Sequence, residues 1–528
     1  MNSLLDRVYT GSPSHLMKTG MCVFTAAVCA AFNAFSEDPS AAAREWDEKW
    51  DRKNILFSGE MRRDRSESFL QVPEGVEVED FSVAATVPEV DFAIVQGLEP
   101  FYLPAPHPLE TEDGRRDTGN WGGWGPVTRG PDGAFHFSIG NHRAYQSDVY
   151  IIQYDPSARS QTALLSIRDI IGWEPDQYGA SKQHGFIDIS PDGEMWLLTM
   201  NSPAPNEREL EEDYRGCWLV RYNKEEGEGE NMGVPLEGDT WPYHAWDWER
   251  DLLFAVGNKY VMAYDTAEQR LLYGGAPPCG VRWFHRVTMI DRESGKIYGT
   301  EMHRECHSDY RREESTEEHR FIRYQRRNNE FTIMDAAVPP NPVTGRIGPV
   351  RAHTREKDSD GAFWCFDYYG TLFRFYPEED RVSEALGASW GDEGKYTTDM
   401  AMSPDERYLY FTPVGAGNIG LPVIQYDTET GEKKVLAFLG QFYREKYNYA
   451  VNRIYGMEID EKGESLFFFT DGHFAPPKDE ADDYSRPRLT RRPAIFHFFI
   501  PEEERGRQDP NTDSEEMNRP GKDAQIRE

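Results

Sequence analysis

Histidine is the side chain best suited to moving protons near neutral pH, and this chain has 13 of them. Eight (His142, His184, His244, His285, His303, His307, His353 and His473) recur at two positions of a repeat described below. They divide into two sets. His142, His184, Tyr243, His244 and Lys259 combine proton-transfer groups with a cation, and no acidic residue shares their phase. His285, Arg286, His303, His307 and His353 bring several imidazoles together, with Cys306 and Cys365 as soft partners for a metal such as zinc. No close-spaced ligand pattern of the His-Glu-x-x-His kind accompanies them.

The first set suits removal of a proton beside the carboxylate of a sugar acid. That reaction needs a neutral His or Tyr to take or relay the proton. A cation must stabilise the charge that builds on the carboxylate. An acid must protonate the leaving sugar oxygen, and the carboxylate pair of glycoside hydrolysis is not required. His184 or Tyr243 fits the base, and His142 a group that binds or neutralises the carboxylate. Arg286 or Lys259 fits the charge stabiliser. Trp124, in the loop Asn120-Trp-Gly-Gly-Trp-Gly125, and His244 are candidates for contact with sugar rings. Core packing is the commoner fate of such aromatics.

These residues lie far apart in the chain, so a repeat must gather them. Ser181-Lys-Gln-His184-Gly-Phe-Ile-Asp-Ile-Ser-Pro-Asp-Gly-Glu-Met-Trp-Leu-Leu-Thr199 reads as a strand, a Pro-Asp-Gly turn and a second strand. Residues 217–223 supply a third strand. The unit recurs at residues 126–138 with 149–155, 245–256 with 260–265, and 287–298 with 321–324. It recurs again at 358–364 with 371–375, 399–410 with 423–427, and 456–467 with 494–499. The spacing, roughly 45 to 65 residues, is that of a propeller repeat with loop insertions. Radial stacking covers both faces of each small sheet and leaves only short edges. The pattern predicts an all-β chain: one seven-bladed β-propeller over residues 76–500. An N-terminal arm (37–75) and a disordered polar tail (501–528) flank it. The alternating run Val76-Glu-Val-Glu-Asp-Phe81 is expected to close the ring against the C-terminal unit.

In such a ring the innermost strand of each blade lines the axis. The loop entering that strand and the loop leaving the second strand lie on one face. Trp124, His184, Tyr243, His244, His285, Arg286, His353, Tyr396, Arg453 and Tyr455 stand just before inner strands. His142, Asn201, Lys259, His303, His307, Tyr368, Asn418 and His473 stand just after second strands. The reading requires His142, His184 and Tyr243 to face one cavity.

The formal net charge is −34, which argues against nucleic acid as a partner. An anionic substrate therefore needs a site that is locally basic against the global field. Aromatics at 13%, with 45 Gly and 34 Pro, fit many short strands and tight turns. Residues 17–36 have a Lys before a short apolar run and then Ala34-Phe35-Ser36. They read as a secretion signal within residues 1–36, with Met17 as its start. The expected location is secreted or periplasmic. The apolar run is too short to span a bilayer comfortably, and a monomer with no membrane span is expected. Cys217, Cys279, Cys306 and Cys365 show no tight pairing pattern, so no disulfide framework is indicated.

Two of the repeats carry a more specific signal. The first ends Ser138-Ile-Gly-Asn-His142, and the second opens Gly179-Ala-Ser-Lys-Gln-His184-Gly185. This pairing resembles the seven-bladed polysaccharide lyases of the ulvan-lyase type, its motifs covering the first two blades. The resemblance implies β-elimination at a uronic acid beside a sulfated rhamnose, by two His, a Tyr and a downstream Arg. His142 and His184 carry over directly, and Tyr243 matches in type and blade. The Arg falls at Arg286 or Arg282, or is replaced by Lys259. A structural zinc, held in some members through His and Cys, would fall by analogy at His285, His303 and His353. Two other classes compete. One is a propeller that binds glycan or protein without turnover. The other is a propeller hydrolase or an oligogalacturonate-type lyase with a metal at the channel mouth. A sialidase and a quinoprotein dehydrogenase lack their repeat signatures here.

Overall fold

The computed structural model describes residues 61–77, 81–95, 121–141, 148–172, 180–200, 216–303, 315–414, 420–474 and 493–505. All of these belong to one compact unit, Lys53–Glu528. Among the described residues seven sheets of four or five strands form, one for each predicted repeat. The chain is a seven-bladed β-propeller. Blade 3 shows the plan most simply. Its strands Tyr243–Asp247, Leu252–Val256, Val261–Asp265 and Arg270–Gly275 pair antiparallel in chain order from the inside outwards.

The inner hairpins turn where the sequence placed its Pro-Asp-Gly and Asp-Gly signals. Gly193 takes φ 82°, and its N–H donates to the Ser190 carbonyl at 2.9 Å. Glu194 N–H donates to Ser190 Oγ at 3.0 Å, so one serine closes the turn twice. Blade 6 departs from the glycine rule. Glu406 holds φ 59° there, and its carboxylate accepts the Ser359 N–H of the blade 5 turn at 2.8 Å. That bond offsets the cost of a left-handed backbone at a side-chain-bearing residue.

Ring closure brings the two ends of the propeller together. Glu89–Ile94 pairs antiparallel with Ala494–Phe499, and Arg62–Arg65 adds outside it, to complete blade 7. Glu89–Ile94 is buried on both faces, and Phe92 packs against Tyr443, Tyr449 and Phe496. Each such buried side chain contributes about 1.5–3 kcal/mol. Between blades 7 and 1, Phe135 stacks on Phe467 at 4.8 Å and Phe137 on Phe469 at 4.9 Å.

Three boundary expectations are corrected. Val76, Glu77 and Phe81 lie outside any strand, and residues 78–80 fall outside the described set. Val76–Phe81 alternates apolar with charged residues, as a half-exposed edge does, whereas the closing strand must bury both faces. Phe81 instead packs on Trp390 at 4.5 Å. Of the expected arm, Arg62–Arg65 is a strand of blade 7 and Phe69 is buried. Of the expected tail, residues 501–505 are ordered on the propeller. Glu504, 6% exposed, receives Lys434 at 2.5 Å and the Ala85 N–H at 3.1 Å. Residues 1–60 and 506–528 lie outside the described residues.

Asp91 fixes the closure electrostatically. Its fully buried carboxylate receives Arg63 of the outermost strand at 2.9 Å and Arg159 of blade 1 at 2.7 Å. Burial alone would raise this carboxyl, but the hydrogen bonds from Arg63 and Arg159 outweigh it and hold it below the usual carboxylate range. A depressed carboxyl stabilises the fold above its unfolded pKa, and the contribution disappears as pH falls through the folded value. Asp91→Asn is expected to cost about 1–3 kcal/mol at neutral pH. In denaturant titrations the gap between wild type and variant should persist at neutral pH and narrow below about pH 4. A gap independent of pH would contradict this role.

Candidate functional site

Side chains two residues apart share a face, and on two blades this phase forms a ladder toward the axis. On blade 2 the ladder is His184, Phe186, Asp188; on blade 5 it is Arg351, His353, Arg355. Contacts between non-adjacent blades show that these ladders meet. Arg286 of blade 4 reaches His184, Phe186 faces His353 at 6.0 Å between ring centroids, and Arg355 binds Asp188 at 2.7 Å.

The upper tier is built on His184, which is 3% exposed. It follows the two-residue strand Lys182–Gln183 and precedes Gly185. A Cβ on Gly185 would stand 2.3 Å from His244 Nδ1, so only glycine lets blade 3 pack this closely behind His184. Arg286 Nη1 donates to His184 Nε2 at 2.9 Å. Arginine has no acceptor, so Nε2 is unprotonated and the proton of the neutral ring sits on Nδ1. Burial, followed by the charges of Arg286 and Lys182, pushes the imidazole well below its usual pKa. The rings of Tyr243 and Tyr455 lie 6.4 and 6.5 Å from that of His184. Burial raises the Tyr243 phenol above its ordinary range, so it remains protonated.

Four cations gather around this imidazole. Burial lowers Arg286 to about 10, a value at which it is still charged at neutral pH. Arg351, 3% exposed, donates from Nε to Tyr396 Oη at 2.5 Å and from Nη1 to the Thr398 carbonyl at 3.0 Å. Among the described residues no carboxylate lies within ion-pair distance of Arg351. Lys182 Nζ sits 4.5 Å from the Trp124 ring, and Arg453 donates to Tyr455 Oη at 3.0 Å.

Carboxylates concentrate further along the axis, at Asp188 and Asp399. Asp188 receives Arg292 at 2.9 Å, Arg355 at 2.7 Å and the Trp246 N–H at 2.8 Å. Asp399 receives the Met457 N–H at 3.0 Å, and burial pushes it up to about 8. Phe186 and His353 form the middle rung. His353 bonds its neighbour's carbonyl, Thr354 O, at 2.8 Å, and burial pushes it down to about 4.

Of the residues singled out from sequence, His184, Tyr243, Arg286 and Trp124 meet in the upper tier. His142 lies outside the described residues, as do His307 and Cys306. His244 points away from the axis into the blade 2–blade 3 seam. It is fully buried against Gln183 Nε2 at 3.3 Å and the Leu198 N–H at 3.4 Å, so its role is packing rather than sugar contact. Lys259 is exposed and donates to the Gly238 carbonyl at 3.1 Å, capping a loop of its own blade. Arg282 is exposed, its backbone pairs with Met302, and its charge helps lower His285.

The zinc set does not assemble. His285 is buried beside Arg286, and His353 occupies the middle rung. His303 bonds the Glu318 carbonyl at 2.6 Å and lies 4.8 Å from the His319 ring. Among the described residues no group of three His, Cys, Asp or Glu side chains is arranged to hold a metal ion.

Arg351 was not found from the sequence. The Val350–His353 strand ends on a histidine, and attention to loop edges selected that residue alone. The readable signal was the recurrence Arg351, His353, Arg355, polar residues spaced by two along and just beyond the inner strand.

No protein-family model matches the chain, and no curated protein matches it in sequence. Among solved structures, a chain from the crystal structure of a nidogen/laminin complex is similar at 14% identity and a TM-score of 0.35. The match covers 58% of this chain and 94% of that one. The structure of U3-55K is similar at 9% identity and a TM-score of 0.41, over 71% of this chain and 94% of that one.

Proposed function

We propose that this chain is an exported lyase that cleaves uronate-containing, anionic polysaccharides by β-elimination. The observation that carries the reading is the 2.9 Å contact between a charged guanidinium and a neutral imidazole, ringed by phenols. A sugar carboxylate entering the upper tier competes for Arg286 and draws it off His184 Nε2. The freed lone pair then takes the proton from the carbon beside the carboxylate. The electrons of that C–H bond form the carbon–carbon double bond, and the bond to the leaving glycosidic oxygen breaks. That oxygen takes a proton from a phenol of the tier. Charge that builds on the carboxylate is met by Arg286 and Arg351, both buried cations. A chain with a net charge of −34 concentrating cations here favours an anionic ligand.

One observation favours a second reading, an anion-binding propeller without turnover. Arg286 donates to the lone pair that a base must use.

Incubation with ulvan, glucuronan and pectin should raise the ultraviolet absorbance of an unsaturated uronate end on at least one of them. His184→Ala should lower kcat by about 10²–10⁴-fold, and Arg286→Ala by about 10²–10³-fold. Binding without any absorbance rise would support the second reading. The pH profile gives a further check. His184 is held well below its ordinary value, so the acid limb of activity should fall below the usual imidazole range. An acid limb at or above the usual imidazole range would exclude His184 as the base.

A further inference from the structure

Four phenols, Tyr243, Tyr368, Tyr396 and Tyr455, approach the cationic tier, and their surroundings differ. Tyr243 is buried, and burial holds its proton on. Tyr455 is buried against Trp124 at 5.2 Å between ring centroids. Tyr368 is buried as well, and Tyr396 alone of the four is partly exposed. Its Oη accepts the bond from Arg351 Nε, and it is the phenol whose charge Arg286 feels most strongly. Tyr368 packs on its ring at 4.7 Å and sets its plane.

We infer that Tyr396, held by Arg351, is the catalytic acid that protonates the leaving sugar oxygen. The inference rests on the β-elimination reading above and adds a residue to it. The geometry supplies each requirement. Arginine only donates, so its bond uses an acceptor site of Oη and does not consume the phenol proton. As the bond from the sugar ring to the glycosidic oxygen breaks, that oxygen takes the proton from Oη. The phenolate left behind lies against one guanidinium and beside a second, the arrangement that stabilises it most. The proton that His184 took from carbon returns to the phenolate through solvent, so each turnover restores both groups. Partial exposure also places Tyr396 where a polymer, rather than only a small anion, can reach it.

The test compares Tyr396→Phe with Tyr243→Phe on a uronate polymer that the wild type cleaves. Tyr396→Phe should lower kcat by about 10²–10⁴-fold, with KM and thermal midpoint near wild type. Tyr243→Phe should fall by much less. Should Tyr396→Phe fail to fold, Tyr396→Leu decides on the same scale of loss. Full kcat in Tyr396→Phe, or in Tyr396→Leu where that variant decides, overturns the inference and leaves the lyase reading standing. A larger loss in Tyr243→Phe than in Tyr396→Phe has the same meaning. A wild type inert on every uronate polymer overturns both.

Discussion

Every contact on the axis depends on one constraint, the closing of the ring by Glu89–Ile94 against Ala494–Phe499. A sheet of blade 2 and a sheet of blade 5 share no edge. Arg355 can reach Asp188 only because seven sheets complete a circle. The closing strand is held by buried aromatics and by Asp91, whose carboxylate joins the outermost strand to blade 1. Aromatic burial is the larger contribution. Exposed ion pairs are worth about 0–1 kcal/mol, and the guanidinium sides of this latch are partly exposed. The carboxylate matters for a different reason: once buried, it demands partners, and only correct closure supplies them.

The same logic sets the chemistry. Alternation along the inner strands sorts side chains into tiers, with cations, phenols and an imidazole above and paired carboxylates below. Phe186 and His353 lie between them. Burial does opposite things to the groups of the upper tier. It discharges His184, keeps the proton on Tyr243, and weakens Arg286 without neutralising it. A neutral base beside a persistent cation is what deprotonation next to a carboxylate needs, and the strong net negative charge elsewhere makes this locally positive tier the natural place for an anion.

The architecture was readable in the sequence because turn residues and alternating apolar runs report on local geometry, and both recurred seven times. Ring closure was harder. Val76–Phe81 alternates more cleanly than Glu89–Ile94, yet a strand buried on both faces loses alternation for the very reason that it is central. Site residues followed the same division. His184 and Arg286 were found because loops entering inner strands carry function in a propeller. Arg351 was missed because it lies within a strand. His244 was assigned to the site because it neighbours Tyr243 in sequence, but adjacent strand residues point to opposite faces. Its ring fills the space left by Gly185, a relation between two blades that no local pattern reports.

The account stands on a ligand carboxylate displacing His184 from Arg286. The most direct measurement is a crystal structure of the protein with a saturated oligouronate that cannot be cleaved. The account predicts the carboxylate on Arg286 and Arg351, with the Arg286–His184 bond broken and Nε2 facing the carbon beside the carboxylate. A saccharide seated elsewhere, with Arg286 still donating to His184, would contradict it.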